Sequence, residues 1–218
     1  MIIAIDGPAG AGKSTVAKII AQRMGFIYID TGAMYRALTL KALEQGIDVN
    51  QAERVVELAV GTRIELYNDA SGNLTVLLDG KDVSAQIRQP RITRFVSDVA
   101  KIPGVREVML GLQRALAKTG NVVLDGRDIG TVVFPGADKK FYIDAAFKER
   151  VRRRYNELKE AGEAVTLGNI EADLANRDTI DSTRECAPLK KADDAIYIDT
   201  TEMNIEEVAA KIKTWINL

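Results

Sequence analysis

The clearest chemistry in the chain stands near its start. The apolar run Ile2–Ile5 leads through Asp6 into Gly7-Pro8-Ala9-Gly10-Ala11-Gly12-Lys13-Ser14. Every fixed position of G-x-x-x-x-G-K-[ST] is met, with a strand expected before it and an amphipathic helix after it. Glycines at 7, 10 and 12 let the backbone curl so that successive N–H groups face phosphate oxygens. Lys13 can span the β- and γ-phosphates, the Ser14 hydroxyl is placed to ligate Mg²⁺, and the helix opening at Ser14-Thr15 turns its positive end toward an anion. The pattern predicts a nucleoside-triphosphate site and leaves open what is done with the γ-phosphate.

Composition removes many alternatives. Among 218 residues there is no histidine and one cysteine, Cys186. Histidine zinc sites, Ser-His-Asp triads and Cys-His dyads are therefore impossible, as is a disulfide framework. Cys186 reads as structural, and a reducing cytoplasm is the expected compartment. Thirty basic against 31 acidic side chains leave a net charge of −1, which gives no support to nucleic-acid binding. The run Met1–Ile5 is too short for a leader, and no apolar stretch approaches the roughly 20 residues that span a bilayer.

The cradle needs elements to hold it. Five apolar runs, Ile2–Ile5, Phe26–Ile29, Val122–Leu124, Phe141–Ile143 and Ala195–Ile198, each end at an aspartate. Continuous apolar runs suit strands covered on both faces. Helices are expected near 16–24, with Gly25 as the stop, and then over 33–45, 105–118, 146–161, 170–184 and 205–216. The lone Trp215 falls on the last of these as core or packing surface. Alternating strands and helices imply an α/β fold with a parallel sheet between helical layers. The runs Arg63–Tyr67 and Leu74–Leu78 interrupt that rhythm as an inserted antiparallel hairpin or meander.

Three classes of phosphate-loop protein compete: a small-molecule kinase, a GTPase switch and a motor or transporter ATPase. No N/T-K-x-D guanine motif occurs, and the one D-x-x-G, residues 69–72, falls in the expected hairpin turn. An LSGGQ-like signature is also absent. Val122–Asp125 has the look of a magnesium-side strand, but its continuation Gly126-Arg127-Asp128-Ile129-Gly130 is unusual. Arginines stand at Arg36, Arg127 and Arg184, near strand or helix ends where α/β sheets bind ligands. Others cluster at Arg150, Arg152, Arg153 and Arg154, where a solvated helix face is an equally good reading.

Together these pieces resemble the bacterial cytidylate kinases, nucleoside-monophosphate kinases with a phosphate loop. The resemblance rests on IDGPAGAGKST at 5–15, DTGAMYR at 30–36, DGRDIGTVVFPGA at 125–137 and R-D-x-x-D-x-x-R at 177–184. It implies a three-layer fold on a five-stranded parallel sheet and one domain in three sections. These are a core (1–30, 101–147 and 169–218), a monophosphate-binding section (31–100) and a helical lid (148–168). The implied activity is transfer from MgATP to CMP or dCMP in pyrimidine nucleotide metabolism, by a monomer without nucleic-acid or membrane partners.

By the same resemblance, residues 7–15 with Arg150, Arg153 and Arg154 bind ATP, Ser14 serves Mg²⁺, and Lys13, Arg127 and Arg184 are catalytic. Arg36, Arg127 and Arg184 clamp the acceptor phosphate, Arg177 and Asp181 meet the sugar, and Ser97, Arg106 and Asp128 read cytosine. Thr31 and Tyr35 line the acceptor, although Tyr35 fits core packing as well. Helical spacing groups Arg150, Arg153 and Arg154 and turns Arg152 away. Gly162 and Gly168 are lid hinges or ordinary stops. Asp6 is either a shaper of the loop or strand-end punctuation. Alternatives are a kinase with UMP, shikimate or dephospho-coenzyme A as acceptor, or a non-catalytic nucleotide-binding regulator.

Overall fold

Strand β1 (Ile2–Asp6) turns through the glycine loop into α1 (Lys13–Met24), and β2 (Ile27–Asp30) follows. Then come α2 (Thr31–Glu44), α3 (Ala52–Val60), β3 (Ile64–Asn68), β4 (Leu74–Leu78) and β5 (Lys81–Asp82). Short helices α4 (Pro90–Thr93) and α5 (Val96–Ala100) precede α6 (Pro103–Ala117). The chain continues with β6 (Val122–Gly126), a π-helical turn over Ile129–Val133, and β7 (Lys139–Asp144). It ends with α7 (Phe147–Glu160), α8 (Leu167–Thr183), β8 (Ile196–Asp199) and α9 (Ile205–Ile216). The structure is a computed structural model and describes residues 1–69, 73–118 and 120–216. The expected turn chemistry of the D-x-x-G falls on residues 70–72, outside the described residues.

The five anticipated strands form one parallel sheet in the order β2-β6-β1-β7-β8. Parallel pairing brings all the carboxyl ends to one rim, so Asp6, Asp30 and Asp125 become neighbours there; Asp30 is the register partner of Asp125. Strand alternation sends Ile3 and Ile5 to the face covered by Val16 and Ile20 of α1 and by Val208 and Ile212 of α9. Ala4 and Leu124 face the other way, against Ala117 of α6 and the π-turn residues Ile129 and Val133. Each face is thereby sealed by helices.

A second apolar core fills the insertion. Met34 and Leu38 of α2 pack with Val55, Val76, Ile87 and Val99, and with Val105 and Met109 of α6. The small sheet, ordered β3-β4-β5, is antiparallel, so the expected hairpin carries a third short strand. A smaller cluster of Val151, Leu158, Ile170 and Leu174 joins α7 to α8 and touches Ala9 of the loop.

Local chemistry explains where boundaries moved. Helix α2 starts at Thr31, earlier than expected, because the Asp30 carboxylate accepts from Ala33 N at 2.8 Å and caps it. Strand β7 starts at Lys139, before its apolar run, because the buried Lys140 ammonium reaches Pro135 O and Asp194. Gly25 ends α1 as expected, with φ 65°. Trp215 lies partly in solvent on α9. Among the described residues no helix is long and apolar enough to cross a membrane.

Candidate active site

The loop after β1 adopts the conformations its glycines permit, with φ 146° at Gly7, 76° at Gly10 and 87° at Gly12. A Cβ on Gly7 would lie 1.9 Å from Ile143 O, so the loop is pressed against β7 and no larger residue fits. The buried Lys13 ammonium donates to Pro8 O at 2.6 Å, across the cradle's own backbone. Burial, helped by Arg127, pulls its pKa down to about 7 against the pull of Asp125 and Asp6. A desolvated lysine is a strong receptor for phosphate oxygens, which restore the charge balance it lacks.

Behind the loop, Ser14 Oγ donates to Asp125 Oδ2 at 2.7 Å and Tyr28 OH donates to Asp125 Oδ1 at 2.8 Å. Burial, followed by the neighbouring Asp30, raises the Asp125 pKa to about 6. A hydroxyl on a carboxylate at the mouth of a phosphate cradle suits Mg²⁺, a hard cation that takes few protein oxygens and completes its shell with phosphate and water. Among the described residues no group of three or more acidic, histidine or cysteine side chains is placed to hold a metal ion by itself. Asp6 lies deeper. Its two oxygens accept from Ile129 N and Gly130 N at 2.8 and 2.7 Å, holding the π-turn that carries Asp128 at its head.

Beside the cradle, residues distant in sequence form a second polar site. Arg127 Nε donates to Asp181 Oδ2 at 2.8 Å, and Ser97 Oγ donates to Asp181 Oδ1 at 3.2 Å. Asp128 accepts from Arg106 at 2.5 Å and from Arg184 at 3.3 Å. The Arg106 guanidinium lies 5.7 Å from the centre of the buried Tyr35 ring. Arg36 pairs with Asp30 at 2.7 Å, and Thr31 Oγ1 donates to Asp125 O at 2.7 Å. Arginines 36, 106, 127 and 184 thus pair with Asp30, Asp128 and Asp181, and Arg177 stands beside them without an ion pair of hydrogen-bond length among the described residues.

Their electrostatics register the imbalance. Burial raises Asp181, but Arg127, Arg177 and Arg184 outweigh it and hold the carboxyl below its usual range. Burial and Arg127 lower Arg177 to about 10, and its Nε has no partner; Arg36 Nε is likewise buried and unpaired. Two buried arginine donors without acceptors, within a cluster where arginines depress one another, describe a receptor for an anion.

The basic helix α7 leans over the loop. Arg153 donates to Thr200 and to Glu149, and its Nη1 comes 4.0 Å from where a Cβ on Gly12 would stand. Arg154 pairs with Glu157 and lies close enough to Arg177 to help depress it. Arg152 points outward, with its side chain 68% exposed. Arg150 is buried and engages Ala9 O and Asp178. Gly162 ends α7 with φ 80°, whereas Gly168 is an ordinary residue of α8.

A profile of the cytidylate kinase family matches residues 3–218, nearly the whole chain. The chain belongs to the cytidylate kinase family. A cytidylate kinase of Geobacillus sp. (strain WCH70) is 53% identical over 215 residues, 99% of this chain and 96% of that one. One from Symbiobacterium thermophilum (strain DSM 24528 / JCM 14929 / IAM 14863 / T) is 48% identical over 97% of this chain and 94% of its own. Among solved structures, an uncharacterized protein from Eubacterium ventriosum ATCC 27560 superposes with TM-score 0.54 at 13% identity, covering 100% of this chain and 98% of that one. A shikimate kinase from Bacteroides thetaiotaomicron follows at TM-score 0.50 and 12% identity, with 100% and 99% covered. At such identity these two show the shared fold alone.

In this family member, sequence reasoning passed over several polar residues. Asp125, which the sequence shows only as the acidic end of a strand resembling a magnesium-side strand, is tied to the cradle by Ser14 and Tyr28. Asp6 shapes the neighbouring turn. Asp30 and Asp178 lie within DTGAMYR at 30–36 and R-D-x-x-D-x-x-R at 177–184 as neighbours of arginines, and no local signal tells which arginine each meets.

Proposed function

We propose that the protein transfers the γ-phosphoryl group of MgATP to CMP or dCMP, giving ADP and CDP or dCDP. The observation that carries this reading is the pair of adjoining anion receptors on one sheet rim: the glycine cradle with Lys13, and the arginine-rich site around Asp128 and Asp181. An oxygen of the acceptor phosphate bonds to the γ-phosphorus while the bond to the β–γ bridging oxygen breaks. The attacking oxygen is already anionic at neutral pH, so the absence of histidine costs nothing. Catalysis is alignment plus stabilisation of charge spread over the moving phosphoryl group.

Backbone N–H groups of residues 10–15 and the Lys13 ammonium hold the triphosphate, in a loop shaped by Gly7, Pro8 and Ala9. Ser14, backed by Asp125, would hold Mg²⁺, which neutralises charge on the β- and γ-phosphates when bound. Arg36, Arg127 and Arg184 clamp the acceptor phosphate, and the last two, with Lys13, face the transferring group. Arg177 and Asp181 take the sugar, between Thr31 and Tyr35. Ser97, Arg106 and Asp128 take the base. Two arginine contacts leave the Asp128 carboxylate room to accept from the cytosine 4-amino group. Uracil presents a carbonyl there and would leave two acceptors facing each other. The lid, residues 148–168 with Arg153 and Arg154, closes over the donor and excludes water. All these residues come from one chain, so a single subunit holds a complete site, and a monomer acting in the cytoplasm completes the proposal.

Acceptor-dependent ADP release tests the proposal with CMP, dCMP, UMP, AMP, GMP and shikimate. Turnover is expected with CMP and dCMP and little elsewhere. Preference for UMP or shikimate would move the protein to another kinase activity, and ATP binding without ADP release for any acceptor would make it a regulator.

A further inference from the structure

Arg150 is the most buried cation of the lid helix, at 7% exposure, and its guanidinium is engaged through both Nη1 and Nε. Nη1 donates to Ala9 O at 3.0 Å and to Asp178 Oδ2 at 2.6 Å, and Nε donates to Ala145 O at 3.1 Å. Asp178 Oδ1 in turn accepts from Ala9 N at 3.4 Å. Both main-chain polar groups of Ala9 are therefore held by the two members of one ion pair. The adjoining Gly10 leaves no slack, because a Cβ there would lie 3.1 Å from Arg150 O and 3.2 Å from Arg150 Cβ. The Phe147 ring, 5.2 Å from the guanidinium, and Asp144, 3.8 Å from Nε, complete its surroundings.

We propose that Arg150 and Asp178 are positioning residues that grip Ala9 and set the curvature of the phosphate loop, so that Arg150 acts through the loop backbone and is not itself a ligand of the triphosphate. The inference rests on the donor half of the proposed function. Its physical basis is that a buried guanidinium paired with a half-buried carboxylate has little charge to spare for a ligand, whereas loss of either member frees the loop and strands the other. Asp178 also lies between Arg177 and Asp181 on α8, so the grip ties the donor loop to the helix that carries acceptor groups.

A double-mutant cycle separates the grip from direct ligation. ADP affinity is measured by calorimetry in EDTA without acceptor, so an error in the acceptor assignment does not touch the result. Asp178→Asn and Arg150→Met should each weaken ADP binding about tenfold, and the double variant should be no weaker than the worse single. The KM for ATP should rise with these changes while the KM for CMP stays within about twofold, a split that general loss of stability would not produce. Arg150→Lys keeps the charge but cannot reach Ala9, Ala145 and Asp178 together, so it should behave like Arg150→Met even if the latter folds poorly. Unchanged ADP affinity in Asp178→Asn, or a double variant equal to the product of the singles, would overturn the proposal.

Discussion

At the scale of single residues, the site is a set of ionisable groups kept out of water and left short of partners. Lys13 and Arg177 are cations depressed by burial, and Asp6 is a carboxyl raised by it to about 6 despite the backbone N–H groups of Gly130 and Ile129. The folded state therefore binds a proton at Asp6 between its ordinary value of 3.8 and about 6, where the unfolded state does not. Stability from that proton is complete below the lower value and is lost as pH rises through the higher one, an effect on the order of 3 kcal/mol. Asp6→Asn removes this titration and leaves one of the two N–H groups without an acceptor. The stability gap between parent and variant should narrow as pH rises from about 4 to about 6, read by urea unfolding across that range. Other carboxyl groups are common to both proteins and cancel in the difference. A gap that stays constant would show that Asp6 does not titrate there.

At the scale of elements, close approach decides what the sequence tolerates. Gly104 stands in the first turn of α6, where a Cβ would come 2.8 Å from Cγ2 and 3.0 Å from Cγ1 of Val56 on α3. Valine is stiff at χ1 and cannot swing aside cheaply. Alanine at 104 gains about 1 kcal/mol of helix propensity, but overpacking of a stiff neighbour costs roughly 1–3 kcal/mol, so the clash should win. Gly104→Ala should lower Tm by a few degrees, and adding Val56→Ala should recover most of the loss. Failure of the second change to rescue the first would place the strain elsewhere. The π-turn over Ile129–Val133 follows the same logic of contact, since the Asp6 carboxylate takes its first two N–H groups.

Over the whole molecule, near neutrality conceals segregation. A chain with net charge −1 gathers Arg36, Arg106, Arg127, Arg177 and Arg184 at one rim, next to Lys13. Such a concentration attracts two anionic nucleotides, and salt screens that attraction over a Debye length near 10 Å at 0.1 M. Raising NaCl from about 0.05 to about 0.5 M should increase KM for both substrates several-fold. The ligand-free Tm should hold or rise, because the same screening relieves the repulsion that Arg127 exerts on Lys13 and on Arg177. A falling Tm with unchanged KM would contradict this picture. The large-scale packing also shows why the sections share a core: Val105 and Met109 of α6 complete the insertion's interior, and Leu66 and Leu74 of the small sheet also touch the clusters beneath the main sheet.

The amino-acid sequence alone determined what depends on near neighbours. The glycine spacing set the cradle, apolar runs ending in aspartate marked the strands, and four-residue periodicity marked α1. Even the outward direction of Arg152 follows from helical spacing. Tertiary structure decided every pairing that joins distant segments. Sheet order β2-β6-β1-β7-β8 is not chain order, and it brings Ser14 and Tyr28 to Asp125 and Asp6 to the turn after Asp128, while the packing of α7 on α8 brings Arg150 to Ala9 and Asp178. Strand extension through Lys139 and Lys140 was hidden for the same reason, since the lysine becomes compatible with burial only once Asp194 and Pro135 O stand opposite it. A charge's meaning depends on what lies within a few ångströms, and for these residues that neighbourhood is assembled only when the sheet closes.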